Sequence, residues 1–261
     1  KFGAAPFHMW IPDVYHGSLI TTTLLLSTIP KIAVFIILTK LLGLVFSNLV
    51  IFWSDILQIL AVLSIIVGNI TAISQTNIKR MLAYSTIANI GFILLPLSIG
   101  SMDSFVAATF YTVTYVITTI LAFGLLSQLL SNNKSIEEIK DLTGLAKHNP
   151  LVAFMMLVIM LSYIGIPPFL GFHAKLYIIQ SLVESNNIML SIFAVIMTVI
   201  GSYYYLRVIK VMYFDEMTNS ITFSSNYVFS AILVFGLIYL GLFPNSLGEI
   251  STLSIDNLFN A

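Results

Sequence analysis

Two lysines stand inside apolar stretches where lysine is costly. Lys31 lies near the middle of LITTTLLLSTIPKIAVFIILTKLL, and Lys175 closes SYIGIPPFLGFHAK. A lysine at the centre of a bilayer costs about 2.5–3.5 kcal/mol on insertion scales, so each must meet a partner or water. A third, Lys1, heads the run KFGAAPFH. The chemistry that such groups offer is proton storage and release, which a permanently charged arginine does not provide. His8 and His173 stand near the first and last of these lysines and are suited to bridge them directly or through water. Plainer roles remain open for each residue. Lys31 can pair with a structural acid on a neighbouring helix, Lys175 can snorkel to the surface, and each histidine can be a hydrogen-bonded packing residue.

Prolines and glycines surround these lysines. Pro30 precedes Lys31 and frees the carbonyl of Leu26. Pro167 and Pro168 free those of Tyr163 and Ile164, and Gly165 and Gly171 loosen the same stretch. Irregular backbone at membrane depth is tolerated where it is buried in protein or lines a hydrated cavity, and broken helices recur at ion sites in transporters. Pro6 and Phe7 repeat the theme of Pro167, Pro168 and Phe169. Two proline-broken helices, each carrying Lys and His, predict two halves of an internal repeat. The helix breaks are therefore expected at Pro6, Pro30, Gly165, Pro167 and Pro168. Five spans separate the first break from the last, the odd number that an inverted repeat requires.

The elements that position these groups follow from composition. Of 261 residues, 58 % are hydrophobic and 8 % charged, with 11 basic and 11 acidic side chains and no cysteine. A charged share this far below the roughly one quarter of a soluble domain excludes a disordered chain and an ordinary soluble enzyme. Zero net charge excludes a nucleic-acid binder. Without cysteine there is no disulfide or iron–sulfur ligation, and the four histidines lack metal-ligand spacing. No Gly-rich phosphate loop is present. The remaining class is a polytopic, all-α membrane bundle, since the apolar runs are long and continuous rather than alternating as in a β-barrel.

Seven spans are predicted at 18–43, 54–75, 81–100, 103–131, 150–183 (broken), 187–214 and 226–244. Residues 1–17 read as the second half of a broken span plus a turn, and 245–261 as an amphipathic C-terminal segment. No strands are predicted. Lys79 and Arg80, then Lys134, Lys140 and Lys147, then Arg207 and Lys210 fall on one side. Asp103, Glu184, Glu249 and Asp256 fall on the other. The basic side is then cytoplasmic or the mitochondrial matrix. The run Tyr203-Tyr204-Tyr205-Leu206-Arg207 reads as a membrane-interface belt. His16 and His148 read as surface residues.

Four motifs together resemble one family. GAAPFHMWIPDVYHGS at 3–18, ISQTNIKRMLAYSTIANIGF at 73–92, SYIGIPPFLGFHAKLY at 162–177 and GSYYYLRVIKVMYF at 201–214 are similar to the antiporter-like membrane subunits of respiratory complex I, specifically the C-terminal half of NADH dehydrogenase (ubiquinone) subunit 2. The resemblance covers essentially the whole chain. It implies inverted five-helix repeats with a file of buried charges at mid-membrane, and proton translocation through Lys1, Lys31 and Lys175. It implies no flavin, Fe–S cluster, NADH or ubiquinone bound by this chain, those being used elsewhere in the complex. The implied partners are other membrane-arm subunits, the lipid bilayer, and a separate polypeptide carrying the N-terminal half with its glutamate. A codon preference for Ile, Phe, Asn, Tyr and Lys favours the mitochondrial inner membrane over a bacterial one. Two other readings stand beside this one. One is a subunit of a multi-subunit cation/proton antiporter. The other is a structural membrane piece whose lysines are paired and inert.

Overall fold

The structure, a computed structural model, describes residues 1–131, 134–216, 221–223 and 228–260. In lipid every backbone N–H and C=O must find its partner within the protein, so long apolar runs close into helices. They do so as α1 (Trp10–Gly17), α2 (Ile20–Lys40), α3 (Val50–Ser74), α4 (Ile78–Leu97), α5 (Met102–Gln128), α6 (Leu145–His148), α7 (Pro150–Ile164), α8 (Leu170–Glu184), α9 (Ile188–Tyr213), α10 (Val228–Leu242) and α11 (Asn245–Asn260). Five helical stretches among the described residues are long and apolar enough to cross a membrane: Ile20–Val45, Ser47–Ser74, Ile78–Leu97, Met102–Gln128 and Ile188–Tyr213. The fold is all-α and multi-pass. The stretch expected as one broken span over 150–183 forms two half-length helices, α7 and α8. The stretch over 226–244 holds α10, and α11 follows it after a bend of 84°.

Polar residues sit inside these helices because their hydroxyls turn back onto the backbone. Thr28 Oγ1 donates to Leu24 O at 2.8 Å, Thr39 Oγ1 to Phe35 O at 2.9 Å and Thr112 Oγ1 to Ala108 O at 2.7 Å. Each of these three hydroxyls is satisfied within its own helix. Two helix starts carry side-chain caps: Asn77 accepts from the Arg80 N–H, and Ser101 from that of Ser104.

Small residues set the closest packing. A Cβ on Gly68 would lie 2.5 Å from Ala88 N, and one on Gly91 would lie 2.7 Å from Ala61 O. The backbones of α3 and α4 therefore touch, the geometry that small residues permit where lipid offers no hydrophobic drive to association. Helices α4 and α5 are largely enclosed by the others, whereas α2, α3 and α9 keep broad apolar faces outward. Helix α11 runs beside α5, and Phe259 packs on Phe105 with ring centroids 5.4 Å apart.

Two expectations are corrected here. Pro30 does not break its helix: α2 is continuous from Ile20 to Lys40. One missing N–H is tolerated because the hydrogen bonds on either side persist and the helix is supported along α5. Strands also occur. β1 (Leu129–Ser131), β2 (Lys134–Ser135) and β3 (Ile221–Phe223) form a small antiparallel sheet in the order β2-β1-β3. They lie in the polar connections, beyond the apolar spans, where backbone groups pair with one another. The same end gathers the basic segments. Asn77 bridges to Glu138, and Gly144 N donates to Val211 O. The helix ends and turn carrying Lys79, Lys140 and Lys210 thus share one end of the bundle.

Candidate functional site

Helix C-termini carry carbonyls with no partner and about half a unit of negative charge. α7 ends in this way at mid-chain. Gly165 adopts φ +86, a left-handed conformation open to glycine without strain, and the chain resumes as α8 at Leu170. Lys175 folds back over the break, and its Nζ donates to Tyr163 O and Ile164 O, each at 2.9 Å. These are the carbonyls opposite Pro167 and Pro168. The ammonium also lies 5.4 Å from the centre of the Phe92 ring.

The segment around Pro6 repeats part of this construction. Gly3 has φ +92, and Pro6 and Phe7 follow at the spacing of Pro168 and Phe169. Here the ammonium comes from another helix. Lys31 Nζ donates to Phe2 O at 2.7 Å and Lys1 O at 3.4 Å, with the Trp10 ring 5.0 Å away. Lys31 is fully buried. Hydrogen bonds to a charged group contribute about 1.5–3 kcal/mol each, so two of them offset the cost of placing a lysine at this depth. The partner of Lys31 is thus backbone carbonyl, and the carboxylate considered above as a pairing partner is not what it meets.

The same device recurs at the basic end. Lys79 Nζ donates to His16 O at 2.9 Å and Ser18 O at 3.0 Å beyond α1. Arg207 donates to Ile73 O at 2.9 Å and to Gln75 O beyond α3. Lys79 is buried, although the sequence reads as a loop there.

Between Lys31 and Lys175 runs a file of hydroxyls and amides. Tyr115 Oη donates to Thr86 Oγ1 at 3.0 Å and reaches Ser27 O, one turn from Lys31, at 3.5 Å. Tyr163 Oη donates to Thr119 Oγ1 at 3.0 Å, one turn beyond Tyr115. Tyr163 stacks on Tyr205 with centroids 5.2 Å apart. Tyr205 Oη lies 2.5 Å from Ser85 Oγ, and Asn89 Nδ2 donates to Ser85 O at 2.8 Å. Tyr111 Oη donates to Asn89 Oδ1 at 2.7 Å, and Tyr204 Oη to Asn69 Oδ1 at 3.2 Å. Two cavities of about 10 Å³ flank Lys175, one against Thr114, Ser162 and Tyr163, the other against Asn69, Asn89 and Tyr205. Each is at the threshold for a single water. Toward the basic end a second stripe continues along α2. Thr23 and Ser27, spaced four residues apart with Lys31, are fully buried, and Thr23 Oγ1 lies 2.8 Å from Ser18 Oγ. Ser18 lines a cleft of about 420 Å³ that Lys79, Ser127 and Glu137 share.

Other predicted residues stand apart from this file. Lys1 contributes its carbonyl, while its side chain is exposed. His8 lies in the first break with Nδ1 buried and unpartnered. His173 meets Phe172 edge-on, and neither histidine bonds a lysine. Sequence reasoning missed the tyrosines. Tyr204 and Tyr205 are buried in the file and are not an interface belt; within that run Tyr203 alone among the tyrosines faces outward. The missed signal was Tyr111 and Tyr115 four apart, with Ser85 and Asn89 four apart, inside apolar spans. Replacing Tyr115 and Tyr163 together with phenylalanine removes both hydroxyls and keeps the rings. If this file carries the proton translocation that the resemblance implies, the rate is expected to fall about tenfold, roughly 1.4 kcal/mol in barrier, with assembly unchanged; an unchanged rate would take the tyrosines out of the path.

Among the described residues no group of three His, Asp or Glu is placed to hold a metal.

Residues 1–201 match the family model described as NADH:quinone oxidoreductase/Mrp antiporter, TM. The chain is 44 % identical over 252 residues to NADH-quinone oxidoreductase subunit N of Hydrogenovibrio crunogenus, covering 95 % of this chain and 52 % of that one. It is 45 % identical over 255 residues to the subunit of the same name in Thioalkalivibrio sulfidiphilus, covering 97 % and 53 %. The chain spans about half the length of the curated relatives it matches. In solved structures it is similar to a chain of respiratory complex I from Thermus thermophilus, with TM-score 0.80, 31 % identity and coverage of 95 % and 55 %. It also shares its fold with a chain of the Mrp complex from Dietzia sp., with TM-score 0.87, 19 % identity and coverage of 99 % and 57 %.

Proposed function

Because the chain belongs to the NADH:quinone oxidoreductase/Mrp antiporter transmembrane family, we propose that it moves protons within the membrane arm of a complex I type enzyme. In this reading electron transfer from NADH to quinone takes place in other subunits, which hold the flavin, the iron–sulfur clusters and the quinone. This chain carries the proton step. The observation that supports this most is the pair of membrane-depth lysines, each held on two backbone carbonyls beside a glycine–proline turn and joined by a file of hydroxyls. Lys31 and Lys175 are the exchanging groups, and Tyr115, Thr86, Tyr163 and Thr119 lie between them. Lys1, whose side chain faces outward, is proposed to act toward a neighbouring element, with His8 beside it and His173 beside Lys175.

The relatives named above are called subunit N, which describes this chain more closely than subunit 2. They are bacterial, and they support a bacterial energy-coupling membrane over the mitochondrial inner membrane that codon preference favoured. The basic loops are placed on the cytoplasmic side, or the matrix side in a mitochondrion. In those relatives the remaining length lies in the same chain, so they lend no support to a separate N-terminal polypeptide. Other membrane-arm subunits are the proposed neighbours. An Mrp-type antiporter is the second reading, and it rests on a likeness of fold at 19 % identity.

Purification through a tag on this chain tests the assignment. Flavin and iron–sulfur subunits should co-purify, with NADH-quinone activity coupled to proton movement. Lys31→Met is expected to lower coupled proton movement at least about tenfold, a barrier change near 1.4 kcal/mol. Co-purification with antiporter subunits and no flavin would decide for the second reading.

A further inference from the structure

A cleft of about 340 Å³ opens at the acidic end between the N-terminal turns of α5, the C-terminal turns of α8 and the flank of α11. Its walls include Asp103, Gln180, Ser181, Glu184 and Thr252. Its floor is a pair of rings, Phe110 from α5 and Tyr177 from α8, set edge to face with centroids 4.9 Å apart. One turn deeper on the same two helices, Thr114 and Ala174 line the small cavity that touches Lys175. The seam is therefore continuous. On α5 it runs through positions 103, 107, 110 and 114, and on α8 through 184, 181, 177 and 174, which keep to one helical face at steps of three and four. Only the ring pair separates the cleft from the cavity at Lys175 along this seam. Phe110 is fully buried, and Thr114 Oγ1 donates to its carbonyl at 2.8 Å, which places a hydroxyl one turn deeper on α5.

We propose that this cleft is the aqueous mouth through which Lys175 exchanges its proton with the acidic side, and that Phe110 and Tyr177 are the gate that closes it. The assignment deepens the proton-carrying reading of Lys175 and rests on it. The rings do the work of a dry constriction: packed edge to face they leave no room for a water chain, and rotation of either one joins the two wet compartments. The carboxylates of Asp103 and Glu184 give the mouth a negative potential that draws hydronium and other small cations rather than anions. At the basic-end cleft Ser18, Thr23 and Ser27 offer hydroxyls in succession toward Lys31, with the buried Tyr15 and Phe123 rings set edge to face beside Thr23, centroids 6.2 Å apart.

The chain has no cysteine, which makes a single introduced thiol readable. Thr114→Cys keeps the side-chain volume and places the thiol just below the gate. In oriented membrane vesicles holding the assembled complex, its reaction with a membrane-impermeant cationic thiosulfonate is measured from each side. With both rings present the reaction should be slow. Phe110→Ala, or independently Tyr177→Leu, should accelerate it at least about tenfold from the acidic side only, with a cationic reagent faster than an anionic one, and should raise passive proton leak in the same vesicles. Either ring variant is sufficient as a test if the other fails to assemble. Fast labelling with both rings intact, labelling from the basic side, or no acceleration by either variant overturns the gate. A failure of the proton reading looks different: the thiol becomes accessible as described, while Lys175→Met leaves proton movement and leak unchanged.

Discussion

Replacing Lys175 with arginine is expected to leave the protein assembled and to stop proton movement, whereas replacing it with methionine is expected to damage both. The reason lies in the two jobs that the ammonium performs. It caps Tyr163 O and Ile164 O at the end of α7, each at 2.9 Å, and it is the group proposed to give up a proton. A guanidinium keeps the positive charge and several N–H donors, so the carbonyls stay satisfied, but it does not deprotonate in a protein. Methionine supplies neither donor nor charge and leaves two carbonyls at membrane depth with no partner, at about 1–3 kcal/mol each. Proton movement coupled to NADH oxidation should fall at least about a hundredfold in Lys175→Arg, which is roughly 2.7 kcal/mol of barrier. Amounts of assembled complex on a native gel should match the parent. The two substitutions together separate a relay from a structural cap. Normal pumping in Lys175→Arg would reduce the lysine to a cap and remove the central support for the proposed function.

Gly171→Ala is expected to be the most disruptive single-methyl change in the chain. A Cβ there would lie 1.8 Å from Ser162 O and 2.8 Å from Ser162 C. Both are backbone atoms of α7, so no side-chain rotation relieves the clash, and α8 must move off α7. Overpacking of a close-packed interior costs typically 1–3 kcal/mol, occasionally more, and this contact falls at the upper end. The movement also carries Lys175, one turn along α8, away from the carbonyls that it caps. Both the thermal stability of the assembled subunit and its pumping should therefore fall. Gly124→Ala is the matched control, because a Cβ at Gly124 meets nothing within 4 Å. Equal stability of the two variants would show that α7 and α8 are less closely packed than described.

Much of this arrangement was legible in the letters, and the reason is energetic. Lys31 and Lys175 stand out because charge at membrane depth is costly, and Pro167-Pro168 because they must release carbonyls. The ammonium of Lys175 and those carbonyls lie eleven and twelve residues apart, close enough in sequence to be connected by inspection. Lys31 was harder. Its partners, Lys1 O and Phe2 O, are about thirty residues away and belong to backbone, which has no letter of its own. A sequence displays carboxylates as candidate partners and carries no sign of a distant carbonyl. Pro30 misled for a related reason: a proline announces a missing hydrogen bond, while packing decides whether the helix breaks. The tyrosines were hidden because tyrosine is at home both at a membrane surface and in a polar interior. Only the depth of Tyr204 and Tyr205 against Asn69 and Ser85 distinguishes the two, and depth is a tertiary property. Lys79 marks topology by its charge and also caps the end of α1, a second use that the side of the membrane does not reveal.

The lysines at the two breaks meet their carbonyls in pairs, and a neutral amine still has two N–H groups. When Lys31 or Lys175 gives up its proton, the number of donors that remain equals the number of carbonyls to be held. The socket thus keeps its shape through the discharge, and only its electrical balance changes. At Lys175 the half unit of negative charge at the end of α7, cancelled while the ammonium is present, is uncovered once it is neutral. An emptied site is then both already formed and electrically primed for refilling. Such a relay has little to rebuild between one proton and the next.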